Sequence, residues 1–234
     1  SVTQLYVGQG DCAYVETKNF RGLIDTGGSR FGADPTARYV EPFLRKCGVG
    51  ALDAVFLSHY DADHAGGVST LAKSHKIKHI FAPVPGSEED VAMYDEIQNN
   101  AGAIESMEGT FAMKDWDLRV FPPYGKEDNA LSMVMELSSK GQRMLFLGDL
   151  PAQQEKVLLS DLRHSESIVK LAHHGSKTSS CDEFLEAARP RLAIISAGEN
   201  NSYGHPHKAV LQRLQDHHVP YLETKNGAIT MDFK

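Results

Sequence analysis

Short apolar runs that stop abruptly at charged or small polar residues recur along this chain. Gly22-Leu23-Ile24 meets Asp25-Thr26-Gly27-Gly28, and Ala54-Val55-Phe56-Leu57 meets Ser58-His59. Further on, Met144-Leu145-Phe146-Leu147-Gly148 meets Asp149, and Ile168-Val169-Lys170-Leu171-Ala172 meets His173-His174-Gly175-Ser176. Runs of this length, bounded in this way, suit buried strands. The pattern predicts strands near residues 2–7, 12–17, 22–25, 53–58, 79–82, 118–122, 131–138, 143–147, 167–172, 192–197 and 227–233. Helical spacing and start signals predict helices near 66–74, 88–100, 151–160, 180–188 and 206–217. One more helix falls between the strands at 22–25 and 53–58 and ends before Gly48; Pro42 belongs in its first turn, and Asp34-Pro35 marks a separate turn or short helix.

Strands first, then strands alternating with helices, is the order of mixed sheets covered by helices on their outer faces. In such layered α/β folds side chains distant in sequence meet outside the strand ends. With 234 residues, 41% of them hydrophobic, the chain can bury a substantial core as one domain over residues 1–234. No tandem repeat or low-complexity linker interrupts it, and the strands before Asp25 and Asp149 hint at two related halves.

The polar residues at the strand ends carry the chemistry. Ser58-His59-Tyr60-Asp61-Ala62-Asp63-His64 packs two imidazoles and two carboxylates onto one short turn. Groups so polar at the edge of a buried strand lose hydration and repel one another unless a cation lies between them. Imidazole nitrogen and carboxylate oxygen are ligands of Zn, Mn and Fe sites, and the spacing suits a pair of ions. Taken singly, the other strand ends have simpler readings: Asp25 can stabilise a Thr-Gly-Gly turn, and Asp149 can cap the helix opened by Pro151.

Taken in order, Asp25, His59-x-Asp61-x-Asp63-His64, Gly148-Asp149 and His173-His174-Gly175-Ser176 resemble the metallo-β-lactamase superfamily. Val7-Gly8-Gln9-Gly10-Asp11, His173 through Ser180, and Asn201-Ser202-Tyr203-Gly204-His205-Pro206 resemble its ComEC (Rec2) competence branch, and the likeness covers nearly the whole chain. The resemblance implies a four-layer αβ/βα sandwich of the α/β class with a dinuclear site at one edge. It also implies metal-dependent nuclease activity on DNA linked to uptake, at the extracytoplasmic face of a bacterial membrane if the chain is part of such a protein.

Two departures from the superfamily pattern bear on the metal. Asp61 replaces the usual second histidine, and His75 and His79 lie too close to the first motif to serve as the usual intermediate ligand. The segment Glu127-Asp128-Asn129-Ala130-Leu131-Ser132 is the expected substitute, with Asn129 resembling the branch's residue. An oxygen-rich site shifts preference toward harder ions, so the expected cofactors are two divalent ions, Mn or Zn, with Mg also fitting.

The expected ligand sets are His59, Asp61 and Asn129 for one ion, and Asp63, His64 and His174 (preferred over His173) for the other. Asp149 bridges them and Asp25 orients imidazoles from behind. A bridging hydroxide then attacks phosphorus. Asp63, His173, Lys177 and His205 are the catalytic candidates: Asp63 as an essential ligand, His173 touching phosphate or protonating the leaving oxygen, His205 as general acid or substrate contact. Lys177 is expected to hold phosphate with Ser176, Thr178 and backbone N–H groups of a helix starting at Ser179 or Ser180. Lys208 and Arg213 extend a basic track, and His75, His79, His164, His207, His217 and His218 are read as surface residues.

Charge and composition qualify this picture. A net charge of −7 argues against broad adhesion to nucleic acid, although the acidic ligands count toward it and two dications offset much of it. The apolar runs fall far short of the roughly 18 residues of a membrane span. The chain opens on Ser1 and enters a strand at once, so an excised or processed domain, possible in a larger membrane protein, is expected. Cys12, Cys47 and Cys181 make no closed disulfide framework and are read as free thiols, Cys12 and Cys47 buried. No protein partner is inferable. The rival functions are hydrolysis of a lactam, lactone, thioester or small phosphodiester on the same scaffold, and non-catalytic nucleic-acid binding.

Overall fold

The fold is that of a computed structural model, which describes residues 1–30, 32–126, 128–162 and 167–233. Glu127 and His164, both considered above, lie outside them. The strands of the first half are β1 (Val2–Gln4), β2 (Ala13–Glu16), β3 (Arg21–Ile24), β4 (Ala51–Leu52), β5 (Ala54–Phe56), β6 (Lys76–Ile77), β7 (Ile80–Phe81) and β8 (Ile104–Glu105). Those of the second are β9 (Gly109–Ala112), β10 (Asp117–Val120), β11 (Met135–Ser139), β12 (Gln142–Phe146), β13 (Ile168–Lys170), β14 (Leu192–Ile195) and β15 (Tyr221–Glu223), followed by β16 (Ile229–Met231).

They assemble into two seven-stranded sheets, ordered β16-β1-β2-β3-β5-β7-β8 and β9-β10-β11-β12-β13-β14-β15, with β4 and β6 as a separate pair. Within the first sheet, β16 through β3 are antiparallel and β3 through β8 parallel. The second repeats that pattern, antiparallel to β12 and parallel from there to β15. The hint of two related halves thus has a topological counterpart, completed when the last strand returns to pair with the first.

Side chains alternate across each strand, and this period of two sorts the core into layers. Ile24 and Phe56 of the first sheet and Met144, Phe146 and Ile194 of the second face one another between the sheets. Leu23 and Val55 point outward, against Val40, Leu44, Leu71 and Ile97. Leu145, Val169 and Ile195 point outward on the other side, against Leu158, Phe184, Val210 and Leu214. Apart from Val40, which ends a turn just before the first helix, the outer partners come from helices α1 (Glu41–Lys46), α2 (Ala62–Ala65), α3 (Val68–Leu71), α4 (Glu88–Ala101), α5 (Ala152–Leu158), α6 (Asp182–Ala188) and α7 (Lys208–Asp216), giving an αβ/βα sandwich. Each large side chain buried in these layers contributes roughly 1.5–3 kcal/mol.

Several elements differ from the sequence reading. A π-helical turn, Thr36–Val40, runs directly into α1, so Pro42 sits near the start of the second segment rather than of an isolated helix. The helix expected at 66–74 is divided and begins earlier, at Ala62. The strand expected from 131 begins only at Met135, after a 3-10 turn at Asp128–Leu131. His75 is buried rather than superficial, with its Nδ1 2.9 Å from Ser74 Oγ, and Cys47 is only partly buried while Cys12 and Cys181 are enclosed. All three cysteines are free. No helix among the described residues is long and apolar enough to cross a membrane.

Candidate metal centre

The parallel pairs β3–β5 and β12–β13 end at the same edge of the sandwich, and there each half delivers a carboxylate and histidines. Asp25 and His59 follow β3 and β5; Asp149 and the His173-His174 pair follow β12 and β13. The turns are tight. Asp25, His173 and His174 adopt left-handed φ of 55°, 50° and 55°, a conformation that non-glycine residues hold only when their surroundings impose it. Two glycines permit close approach to the turn bearing Asp63 and His64: a Cβ on Gly10 would overlap the Asp63 carbonyl, and one on Gly28 the Ala62 carbonyl.

Hydrogen bonds behind the centre decide which imidazole nitrogens face it. Ser58 N and Oγ donate to Asp25, at 2.7 and 2.8 Å. With its only proton on Asp25, the Ser58 hydroxyl accepts from His59 Nδ1 at 2.9 Å, which leaves His59 Nε2 as a bare lone pair. His64 Nδ1 lies 2.9 Å from Asp25 Oδ2, and His174 Nδ1 lies 2.9 Å from the Ser196 carbonyl. In their neutral forms both therefore turn bare Nε2 atoms forward, and these stand 3.3 Å apart.

Carboxylates close the front. Asp149 lies 3.2 Å from His64 Nε2, 3.7 Å from His174 Nε2, 3.9 Å from His59 Nε2 and 3.6 Å from His173 Nε2. Asp63 reaches His174 Nε2 at 3.2 Å, and Asp61 reaches His59 Nε2 at 3.5 Å. His59, Asp61 and Asp149 can each place one donor atom within 4.8 Å of the others. Among the described residues, His59 Nε2 and one oxygen of Asp149 are buried without a hydrogen-bond partner. Lone pairs converging without donors is what a cation resolves, so the donor set fits divalent metal.

Titration behaviour agrees with that fit. Burial alone would lower His64, but Asp149 and Asp25 raise it well above the usual imidazole range; His174 is raised in the same way by Asp149 and Asp11. Burial opposes ionisation of Asp149, yet the surrounding imidazoles hold its carboxyl well below the usual range. Asp63 is lowered against burial by His174 and His64, and Asp61 by its hydrogen bond to His59. In the metal-free protein, protons on the histidines supply the positive charge.

Some neighbours were not visible as site residues in the sequence. Asp11 lies 3.9 Å from His64 Nδ1 and 3.7 Å from His174 Nδ1, so it backs the imidazoles although it can join His64, Asp149 and His174 as a close donor group. We place it behind the centre because those Nδ1 atoms already have closer partners. Asp11 is paired with Lys170, a buried lysine that also donates to the Leu171 carbonyl at 2.9 Å. The signal for this pair was the lysine inside an apolar strand run, which needs a counter-charge when buried. Gln9 Nε2 lies 3.4 Å from His205 Nδ1.

The remaining candidates are placed as follows. Asn129 lines a cleft of about 990 Å³ together with His59, Asp61, Gln153 and Gln154. A second cleft, of about 670 Å³, is lined by Gln9, Arg30, Arg38, Asp61, Asp63 and Tyr203. His205 sits beside the His pair, its ring 5.7 Å from His173 and 6.3 Å from His174, and burial and those two histidines hold its pKa down to about 4. Burial likewise lowers His173.

Two expectations fail here, and with them the simpler reading of Asp149 as a helix cap. Helix α6 begins at Asp182, and the N–H groups of Ser180 and Cys181 donate to the buried Glu155 carboxylate at 2.7 and 2.8 Å, so they are not free to bind phosphate. Arg213 extends no basic track: its guanidinium holds the carbonyls of Ser179, Ser180 and Lys177. Asp149 caps no helix, because α5 starts at Ala152 with Pro151 at its cap. Ser176 is buried with its hydroxyl 3.0 Å from that of Thr178, whereas Lys177 is exposed. Of the other histidines, His207 caps α7 by accepting from Ala209 N at 3.2 Å, and His217 lies 3.0 Å from Asp182.

Residues 5–199 match the family model described as the metallo-beta-lactamase superfamily, and the chain belongs to that superfamily. Among its relatives is ComE operon protein 3 of Bacillus subtilis (strain 168), 33% identical over 255 residues that cover 100% of this chain and 33% of that protein. Another is Competence protein ComA of Neisseria gonorrhoeae, 32% identical over 235 residues covering 98% of this chain and 32% of that protein. These are relatives of the ComEC/Rec2 type, and the chain spans about a third of their length. Among solved structures, the metallo-beta-lactamase fold protein YhfI from Bacillus subtilis superposes with a TM-score of 0.66 at 9% identity, covering 97% of this chain and 98% of that one. That likeness carries the fold alone.

Proposed function

We propose that this superfamily hydrolase is a divalent-metal-dependent phosphodiesterase acting on DNA, the hydrolytic part of a longer ComEC-type protein concerned with DNA uptake. One observation carries the reading: Asp149 is shared by two donor sets, and Asp61, a ligand candidate in one of them, opens onto both clefts. A polymer can lie across such a centre with chain on either side of the reacting linkage, whereas a small ester needs one enclosed pocket. Kinship with competence proteins favours DNA as that polymer.

His59, Asp61 and Asp149, with Asn129 nearby, would hold one ion; Asp63, His64, His174 and Asp149 would hold the other. Bound there, two divalent ions supply Lewis acidity and a hydrolytic nucleophile at neutral pH. Asp25 fixes His64 directly and His59 through Ser58, and the Ser196 carbonyl fixes His174. His173 and His205 stay uncharged at neutral pH, which suits them to hydrogen-bonding a phosphoryl or leaving oxygen more than to delivering a proton at the outset. Lys177, exposed beside the histidine turn, contributes charge to a flanking phosphate.

The deciding assay supplies metal-stripped protein separately with Mn, Mg or Zn and offers DNA, RNA, a small phosphodiester, a lactone and a thioester. Metal-dependent cleavage of DNA is expected, strongest with Mn. Hydrolysis of the lactone or thioester with no phosphodiester turnover would overturn the assignment.

A further inference from the structure

Tyr203 is 69% exposed, an unusual position for a large ring unless something else covers it. Its loop is not slack. Asn201 Nδ2 donates to the carbonyls of Gly198 and His205, at 2.8 and 2.6 Å, and Asn201 Oδ1 accepts from His205 N at 3.0 Å. The ring it presents lies 5.7 Å from His205 at an interplanar angle of 23°, and His205 lies 6.3 Å from His174 at 25°. Successive rings, tilted 25° and then 23° from one to the next, therefore lead from buried His174 through His205 to Tyr203 in solvent. Tyr203 also lines the cleft of about 670 Å³ that contains Asp61 and Asp63, in company with Arg38 and Tyr39. The Arg38 guanidinium lies over the Tyr39 ring at 5.2 Å. Exposed rings and guanidinium groups along one groove are the elements that hold unpaired nucleotides, since every base offers a flat face and every linkage a negative charge.

We propose that this cleft is a nucleotide subsite in which Tyr203 stacks on the base next to the scissile linkage, adding one plane to the ring series, while Arg38 faces a neighbouring phosphate. The inference rests on the nuclease reading and assigns one side of the centre to the bound strand. A base-free phosphodiester gains nothing from Tyr203, so the residue selects nucleotides by affinity and leaves the chemical step alone.

The test uses the Mn-loaded protein and a DNA oligonucleotide whose cleavage position has been mapped. Stacking of one base is worth roughly 5- to 150-fold in affinity. Tyr203→Ala is expected to raise KM about tenfold, at the lower part of that range, with kcat nearly unchanged. Tyr203→Phe and Tyr203→Trp should keep the parent's KM. An abasic residue beside the scissile linkage should cost the parent the same factor and cost Tyr203→Ala nothing further. Thermal unfolding of all three variants should match the parent, as expected for an exposed ring. If the parent cleaves DNA and Tyr203→Ala keeps its KM, or loses as much again on the abasic strand, the stacking role is wrong and the nuclease reading stands. If the parent cleaves no nucleic acid, both fall, and that is seen before any variant is made.

Discussion

Asp149 concentrates the chemistry at the scale of single residues. It is 3% exposed, fully charged, and close to four histidines, so removing its charge leaves His64 and His174, whose protonated forms it favours, without a shared counter-ion. Asp25 acts through others, and Asp25→Asn should lower metal affinity or turnover roughly 10- to 100-fold, as expected when a residue that orients ligands is altered. Circular dichroism should show that the variant remains folded; unchanged activity would remove Asp25 from the positioning role. Asp61→His tests the oxygen-rich half: restoring an imidazole should move the metal preference from Mn toward Zn, read as relative kcat/KM with each ion. An unaltered ranking would show that Asp61 does not set it. At this scale the sequence was most legible where residues are contiguous. His59, Asp61, Asp63 and His64 share one turn, whereas Asp11 and Lys170 meet across 159 residues; Asp11 stood out only as the end of the Val7-Gly8-Gln9-Gly10-Asp11 motif, and Lys170 only as a lysine in an apolar run.

Among the elements, the segment after the histidine turn is held by two groups that the sequence disguises. Glu155 lies in α5, where a glutamate normally faces water, yet it is fully buried and takes the N–H groups of Ser180 and Cys181. Arg213 of α7 closes the same segment from the carbonyl side. Replacing Glu155 by Leu strands two buried donors, at a cost of about 1–3 kcal/mol for each group left unsatisfied. A clear fall in Tm, with weaker metal retention because His173 and His174 precede the segment, is the expected result; parent-like Tm would show that these bonds are dispensable. Strand order along the buried core was readable from apolar runs such as those ending at Asp25 and Asp149. Strands β8, β9 and β15 were not, because they are short and largely exposed edge or near-edge elements whose residues carry no alternating apolar signal.

For the whole molecule, the matching order of the two sheets explains why a site at one edge needs both halves: each supplies carboxylate and imidazole, and neither supplies enough. The sequence conveyed this only as paired strand ends, since pairing direction is a property of distant backbone and not of local pattern. The same convergence sets the pH response of the metal-free protein. Asp25, Asp63 and Asp149 are lowered from the ordinary 3.8, so their stabilisation is present above that value and lost as pH falls through the folded values. His64 and His174 are raised from 6.5, so theirs is complete below 6.5 and lost as pH rises through the folded values. With chelator present, Tm should therefore be highest between about pH 4 and 6.5 and decline on the alkaline side. Added Mn should stabilise more as pH rises, because ions replace protons at the same nitrogens. A chelated protein whose Tm stays level from pH 6.5 to 9 would contradict the proton-for-metal exchange.

Two divalent ions sharing Asp149 would make this edge of the sandwich a phosphodiesterase centre. The most direct test is a titration of metal-stripped protein with Mn, following cleavage of a DNA oligonucleotide against metal bound per chain. No cleavage without metal is expected, together with activity that saturates as the second ion binds and neither full loading nor cleavage in Asp149→Asn. Metal-independent cleavage, or an Asp149→Asn variant that loads and cleaves like the parent, would contradict it.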